Sequence, residues 1–206
     1  MSFDFFFKGL ILGFSIAAPV GPIGVLCIRK TLEFGRFSGL FSGLGAACAD
    51  TIYAIIAAFG LTFIANFLLE GQFWLRLIGG IFLLYLGWKT FSAEPNSQSK
   101  NIPHTTLIND FISTFFLTIT NPMTIISFLA VFAGLGLSSI QGDYIQASML
   151  VIGVFLGSAL WWLTLSEGVT LFRKKVSQKV MKWINRVAGI IILVFGIGAL
   201  YSLLLI

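Results

Sequence analysis

The sequence predicts an all-α integral membrane protein of six transmembrane helices, built as two inverted three-helix repeats with the first helix of each repeat broken at proline. Three observations carry that expectation. First, 57% of the 206 residues are hydrophobic and only 10% are charged, with a mean hydropathy of +0.97. A soluble domain carries about 25% charged residues, and a compact chain of this size cannot hide so much apolar surface from water. Second, the apolar residues fall into long charge-free runs. Third, a polar segment splits the chain into two halves of three runs each, and each half has a proline break at a corresponding place. The composition excludes a soluble enzyme, a disordered chain and a nucleic-acid module. The net charge of +5 is no nucleic-acid signature, because the basic residues cluster at the ends of apolar runs.

The charge-free runs are Gly9–Ile28 (20 residues), Phe37–Leu69 (33, interrupted only by Asp50), Phe111–Gly142 (32), Tyr144–Ser166 (23) and Val187–Ile206 (20). A helix needs about 20 mostly apolar residues to cross the hydrocarbon. A shorter run, Leu77–Trp88, lies between Arg76 and Lys89; Trp74 and Trp88 flank it as interfacial anchors, and both charges can snorkel. The predicted helices are 5–30, 37–69, 73–91, 108–136, 145–171 and 184–206. Nothing alternates with period two, so a β-barrel does not fit. The N-terminus lacks a basic region before its apolar run, with Asp4 preceding Lys8, and Ala17-Ala18-Pro19 is a poor cleavage site, so the first run is expected to stay as a span.

The basic residues predict an orientation. Arg29, Lys30 and Arg36 fall between the first two runs, Lys89 and Lys100 between the third and fourth, and six more between Arg173 and Arg186; only Lys8 and Arg76 fall on the other side. The positive-inside rule puts these three loops in the cytoplasm and both termini outside. Repeat 1 is expected at 1–91, a cytoplasmic linker at 92–107 with Pro95, Pro103 and a solvent-exposed His104, and repeat 2 at 108–206. Three spans per half force the second half to run upside down relative to the first. Glu167 is read as an interfacial residue. Cys27 and Cys48 read as small buried side chains, and no cofactor or metal site is expected.

The paired breaks point to a binding site. The first helix is interrupted at Ala18-Pro19-Val20-Gly21-Pro22-Ile23-Gly24 and the fourth at Thr120-Asn121-Pro122-Met123-Thr124. Proline forces the helix to unwind, and freed backbone groups in hydrocarbon must be met by protein, water or a ligand. Asp50, deep within the second run, must face the bundle interior or a wet cavity. The expected substrate-binding set is Pro19, Gly21, Pro22, Gly24, Asp50, Tyr53, Thr120, Asn121, Pro122, Thr124 and Trp162. Tyr53 enters because it lies three residues after Asp50, on the same helical face. Of Trp161 and Trp162, one is expected to wall the cavity and the other to pack. In this scheme the amides of Gly21–Gly24, with Thr120, Asn121 and Thr124, hold a carboxylate. Asp50 holds an ammonium or, when the site is empty, a proton, which would couple transport to the proton gradient.

The segment from Ala18 to Ala58, with its Pro-Val-Gly-Pro break, Arg29, Lys30, Leu32, Gly35, Arg36, Gly39, Gly43, Gly45 and Asp50, together with Asn121-Pro122, resembles the LysE/RhtB family of bacterial amino-acid exporters. The resemblance covers the whole chain. It implies efflux of amino acids or related small metabolites from the cytoplasm, driven by the proton gradient, across the bacterial inner membrane. The expected partners are a small-molecule substrate and membrane lipid, with no nucleic acid. Gly9/Gly13, Gly39/Gly43 and Gly153/Gly157 suit close helix packing and allow a homodimer. The competing readings are an exporter of another small cation or metal ion, a passive channel and an integral scaffold; one carboxylate without a Cys/His cluster disfavours a soft metal.

Overall fold

In the computed structural model the described residues are 2–19, 21–59, 72–94, 104–121, 124, 127–128, 143–173 and 176–205. They form seven α-helices: α1 (Ser2–Ala17), α2 (Pro22–Phe34), α3 (Arg36–Ala58), α4 (Gln72–Phe91), α5 (His104–Ile119), α6 (Tyr144–Arg173) and α7 (Gln178–Tyr201), the last followed by a 3-10 turn at Ser202–Leu205. No strand occurs among the described residues.

By length and composition α3, α6 and α7 can each cross a membrane, and α1 with α2 makes a fourth candidate span bent by 80° at the break. α4 has a charge near each end, and the apolar part of α5 is short, Leu107–Ile119. α3 ends at Ala58, well before the predicted end at residue 69, and α5 begins four residues earlier than predicted and ends at Ile119, at the second break. Residues 60–71 and 129–142, which carry the rest of those two expected helices, lie outside the described residues, as do Pro122 and the side chain of His104.

The break in the first span has a local cause. The residue before proline is pushed out of the α region, so α1 stops ahead of Pro19. α2 restarts with Pro22 in its first turn, after Gly21 in an extended conformation (φ −113°, ψ −165°). α2 ends at Gly35, whose φ of +102° with ψ near 180° is open only to glycine; its N–H closes on the Thr31 carbonyl at 2.9 Å, and the chain turns directly into α3.

The extensive helix contacts are α1 with α6, α3 with α5, α4 with α7, and α3 with α6. Taking α1–α2 as one unit, exchanging that unit with α5, α3 with α6, and α4 with α7 leaves this set unchanged. The α1–α6 contact is backbone on backbone. A methyl group on Gly13 would strike the Val154 carbonyl, and one on Gly153 would lie 2.8 Å from the Leu10 nitrogen. Small residues substitute for the hydrophobic effect inside lipid, where dispersion between closely packed backbones drives association. Leu26, Cys27, Ala46, Ala47 and Trp162 pack in one buried cluster and Tyr53, Leu150, Val154 and Phe128 in another, while Phe3, Ile11, Ile81, Ile152, Val194 and Ile197 stand exposed, as a lipid-facing surface requires. The interfacial anchors Trp74 and Trp88 are also exposed.

Candidate functional site

Where the two breaks meet, the structure has a partly open cavity of about 250 Å³. Ile16 and Ala17 close α1 on one side of it, and Pro19, Gly21, Pro22, Ile23 and Gly24 bring the restart of α2 to the other. α3 contributes Ala46 and Asp50, four residues apart on one face. The end of α5 and the second break supply Thr118, Asn121, Thr124 and Ser127; α6 supplies Trp162 and α7 Phe195.

In the first turn of α2 the Val25 N–H donates to the Gly21 carbonyl at 3.0 Å. Ile23 and Gly24 lie in the first turn of α2, where amides have no carbonyl within their own helix, and Gly21 has no side chain to cap them. At the second break the chain folds on itself: the Asn121 N–H donates to the Thr118 carbonyl, and the Asn121 carbonyl accepts from the Thr124 N–H, both at 3.1 Å.

Asp50 is 4% exposed and is the one charged side chain among the described residues on the cavity wall. Its carboxylate accepts from the Ser158 hydroxyl of α6 at 2.7 Å. A carboxylate has about four lone-pair sites, so this single bond leaves most of its accepting capacity open. One turn further along the same face of α6, the Trp162 ring lies over α3 at Gly43, where an added methyl group would sit 2.7 Å from the indole Cγ. The neighbouring Trp161 instead packs edge-to-face on Phe14 of α1, with ring centres 5.2 Å apart.

The cavity thus gathers Pro19, Gly21, Pro22, Gly24, Asp50, Asn121, Thr124 and Trp162 of the expected residues. Tyr53 lies elsewhere. Its hydroxyl donates to the carbonyl of Ile119, the last residue of α5, and its ring packs 5.8 Å from that of Phe128. The physical reason is the second break: ending α5 frees carbonyls, and Tyr53 supplies one of them with a donor. Thr120 also turns away. Its hydroxyl bonds the Phe116 carbonyl of its own helix at 2.6 Å, and it borders a separate apolar cavity of about 350 Å³ between α4 and α5. Pro122 lies outside the described residues. Ser158, Thr118, Ser127 and Phe195 were not expected; single hydroxyls and a phenylalanine inside apolar runs carry no sequence signal.

A second polar group lies toward the far end of α2. Lys30 pairs with Asp110 at 2.9 Å and donates to the Ser113 hydroxyl at 2.9 Å, while the Ser38 hydroxyl donates to the other Asp110 oxygen. Arg29 pairs with Glu33 at 2.6 Å and donates to Asn185 at 3.0 Å and Thr90 at 3.4 Å. Arg173 caps the end of α2 by donating to the carbonyls of Leu32 and Glu33. Arg29 and Lys30, read as loop cations from the sequence, are buried side chains within α2. Their tally in the charge asymmetry came from their place beside a charge-free run, which says nothing of whether the helix continues. Glu167, by contrast, pairs with Arg36 at 3.5 Å with both side chains about half exposed. The cysteines are unpaired, and among the described residues no three His, Cys, Asp or Glu side chains are grouped to hold a metal ion.

Comparison with known proteins places this geometry in a lineage. The model of the LysE type translocator family matches residues 14–203. The chain is 27% identical over 198 residues to "Putative amino acid efflux protein YcgF" of Bacillus subtilis (strain 168), covering 94% of this chain and 93% of that one. It is 26% identical to "Uncharacterized membrane protein YahN" of Escherichia coli (strain K12), covering 85% and 79%. It is 25% identical to "Threonine efflux protein" of Salmonella typhi, covering 88% and 90%. No solved structure matches the chain.

Proposed function

The chain belongs to the LysE type translocator family, and from that premise we propose that it exports small amino acids from the cytoplasm in exchange for protons. It is a membrane transporter and not an enzyme. The observation that carries the substrate reading is the cavity at the paired breaks, where a buried carboxylate faces an uncapped helix start. Asp50 and the carbonyl end of α1 attract an ammonium; the positive end of α2 attracts a carboxylate. A zwitterion satisfies both, and it adds no net charge to a wall whose described residues hold one carboxylate and no other charge. The remaining wall, Ile16, Ala17, Ala46 and Phe195, suits a small neutral side chain. Two relatives with "efflux" in their names point to the same class, and the threonine efflux protein makes L-threonine the first substrate to assay.

The coupling is a competition. Asp50 holds either the substrate ammonium or a proton, so a carrier that reorients only when Asp50 is occupied exchanges one for the other. Supporting the alternating arrangement, the helix contacts keep their pattern when the two three-span halves are exchanged, as an inverted repeat of six spans requires. The charge asymmetry of the sequence supports termini outside and basic loops in the cytoplasm.

The test is reconstitution of the purified protein in proteoliposomes with L-threonine inside. An imposed proton gradient should drive threonine against its own gradient in the wild type. Asp50→Asn keeps the shape and removes the titrating group, and the gradient should no longer drive transport. Uphill efflux that survives in Asp50→Asn overturns the coupling role; flux that only ever runs downhill in the wild type overturns the carrier reading in favour of a channel.

A further inference from the structure

Trp162 presents an unmet donor. The residue is 4% exposed, it lines the same cavity as Asp50, and its indole N–H has no acceptor. Buried N–H groups in folded proteins are paired in the great majority of cases, and an exception at a cavity marks where a ligand completes the bonding. The indole can only donate, so whatever completes it brings an acceptor.

Its surroundings restrict how the ring can move. Ser158 and Trp162 are one turn apart on α6, and the Ser158 hydroxyl is already committed to Asp50. The ring is seated on the bare α3 backbone at Gly43, where a methyl group would lie 3.4 Å from Cδ2 and still closer to Cβ, so the indole has little freedom to swing away. Gly43 and Asp50 are seven residues apart, two turns along one face of α3. The ring and the carboxylate are therefore presented to the cavity by the same two helices at neighbouring levels. Ile23 and Gly24, in the first turn of α2 where amides have no carbonyl within their own helix, line this cavity too. The first turn of α2, Trp162 and Asp50 thus border one cavity.

We propose that the Trp162 indole N–H, together with the first turn of α2, forms the subsite for the substrate carboxylate and makes a free α-carboxylate a requirement for binding. This rests on the amino-acid reading of the cavity and goes beyond it in naming the side chain that recognises the carboxylate and the ligand class it rejects, amines and amino-acid amides. The ammonium then meets Asp50 and the carboxylate meets Trp162, which fixes the substrate's orientation and leaves its side chain toward the apolar wall.

The test uses the full-length protein in proteoliposomes, with L-threonine and L-threoninamide as probes; the amide keeps the ammonium and side chain and loses the carboxylate. In wild type, threoninamide should compete in threonine counterflow at least about tenfold more weakly than threonine. Trp162→Phe keeps a ring over Gly43 and removes the N–H. It should raise the KM for threonine about ten- to a hundredfold, the range for losing a hydrogen bond to a charged group, with a smaller change in kcat, and collapse the preference for threonine over its amide. Should Trp162→Phe not fold, the wild-type protein carries a second readout. The indole ¹⁵N–H resonance of Trp162, assigned by elimination with phenylalanine at Trp74, Trp88, Trp161 and Trp183 in turn, should move downfield on adding threonine and stay in place with threoninamide. An unchanged KM and unchanged preference in Trp162→Phe, or a resonance indifferent to threonine that the protein does transport, overturns the carboxylate subsite and leaves the export reading standing. Wild-type protein that moves no amino acid in counterflow overturns the export reading and the subsite with it.

Discussion

Replacing Lys30 with methionine keeps the length of the side chain and deletes its charge. The structure sets what that should cost. Lys30 and Asp110 are 7% and 5% exposed, and the ammonium touches one carboxylate oxygen at 2.9 Å while Ser38 donates to the other. Without Lys30 the carboxylate of Asp110 keeps one hydroxyl and no cation. Removing one partner of a buried ion pair costs about 3–5 kcal/mol, because the remaining charge is left without compensation. For a chain of this length that corresponds to a fall of about 6–20 °C in the thermal midpoint. Lys30→Met/Asp110→Asn removes both charges, and the double variant should recover most of the loss, since replacing a buried pair as a whole is close to neutral. Cys27 provides the reporter. It is fully buried in α2, three residues before Lys30, so in a Cys48→Ala background a thiol-reactive fluorophore reads the release of α2 as the detergent-solubilised protein is heated. A midpoint for Lys30→Met within about 2 °C of the parent, or a double variant no more stable than the worse single one, would refute the reasoning and leave the ion pair a bystander.

Two further contrasts test the packing. Gly153→Ala places a methyl group on the Phe6–Leu10 backbone and should cost about 1–3 kcal/mol of stability, whereas Gly198→Ala, with no atom within 4 Å, should add about 0.5–1 kcal/mol through helix propensity alone; the direction of the midpoint shift in parallel melts of the two variants checks both signs. Arg173→Met removes the donors to the Leu32 and Glu33 carbonyls from beside Gly35 and should cost about 1–3 kcal/mol of stability, read as a lower midpoint in the same Cys27 assay.

The parts of the site readable from sequence were those in which a rule of hydrocarbon burial is visibly broken. Pro19, Pro22 and Asp50 are each costly inside a membrane, and the structure brings them to one cavity. Tyr53 shows the limit of helical periodicity. Its spacing from Asp50 gives a shared face, but whether the next turn of that face meets the cavity or the end of α5 depends on where α3 crosses α5, which local sequence does not encode. Asp110 escaped notice for a related reason. It stands just outside a charge-free run, where a charge looks like an ordinary helix end, and only the packing of α5 on α3 and α2 makes it a buried ion-pair partner. Ser158 carries no signal at all, because a lone serine in an apolar helix is common whatever it touches.

The two halves of the broken first span are held by different forces. α1 lies against α6 through glycines that let the backbones touch, and every atom of that contact is short-ranged and tied to one register; a shift of a fraction of an ångström forfeits it. α2 packs Leu26 and Cys27 into a buried cluster and is tied in addition through long side chains: Lys30 to α5, Arg29 to α4 and α7, and Arg173 of α6 to its last carbonyls. Bonds of this kind can be exchanged one at a time for other partners, while a glycine seam cannot be loosened without being lost. The Pro19–Pro22 break sits at the junction between the two attachments and also lines the cavity. Any movement of α2 relative to α1 must therefore change the shape of the cavity directly, because the atoms that would bend are the atoms that form its wall.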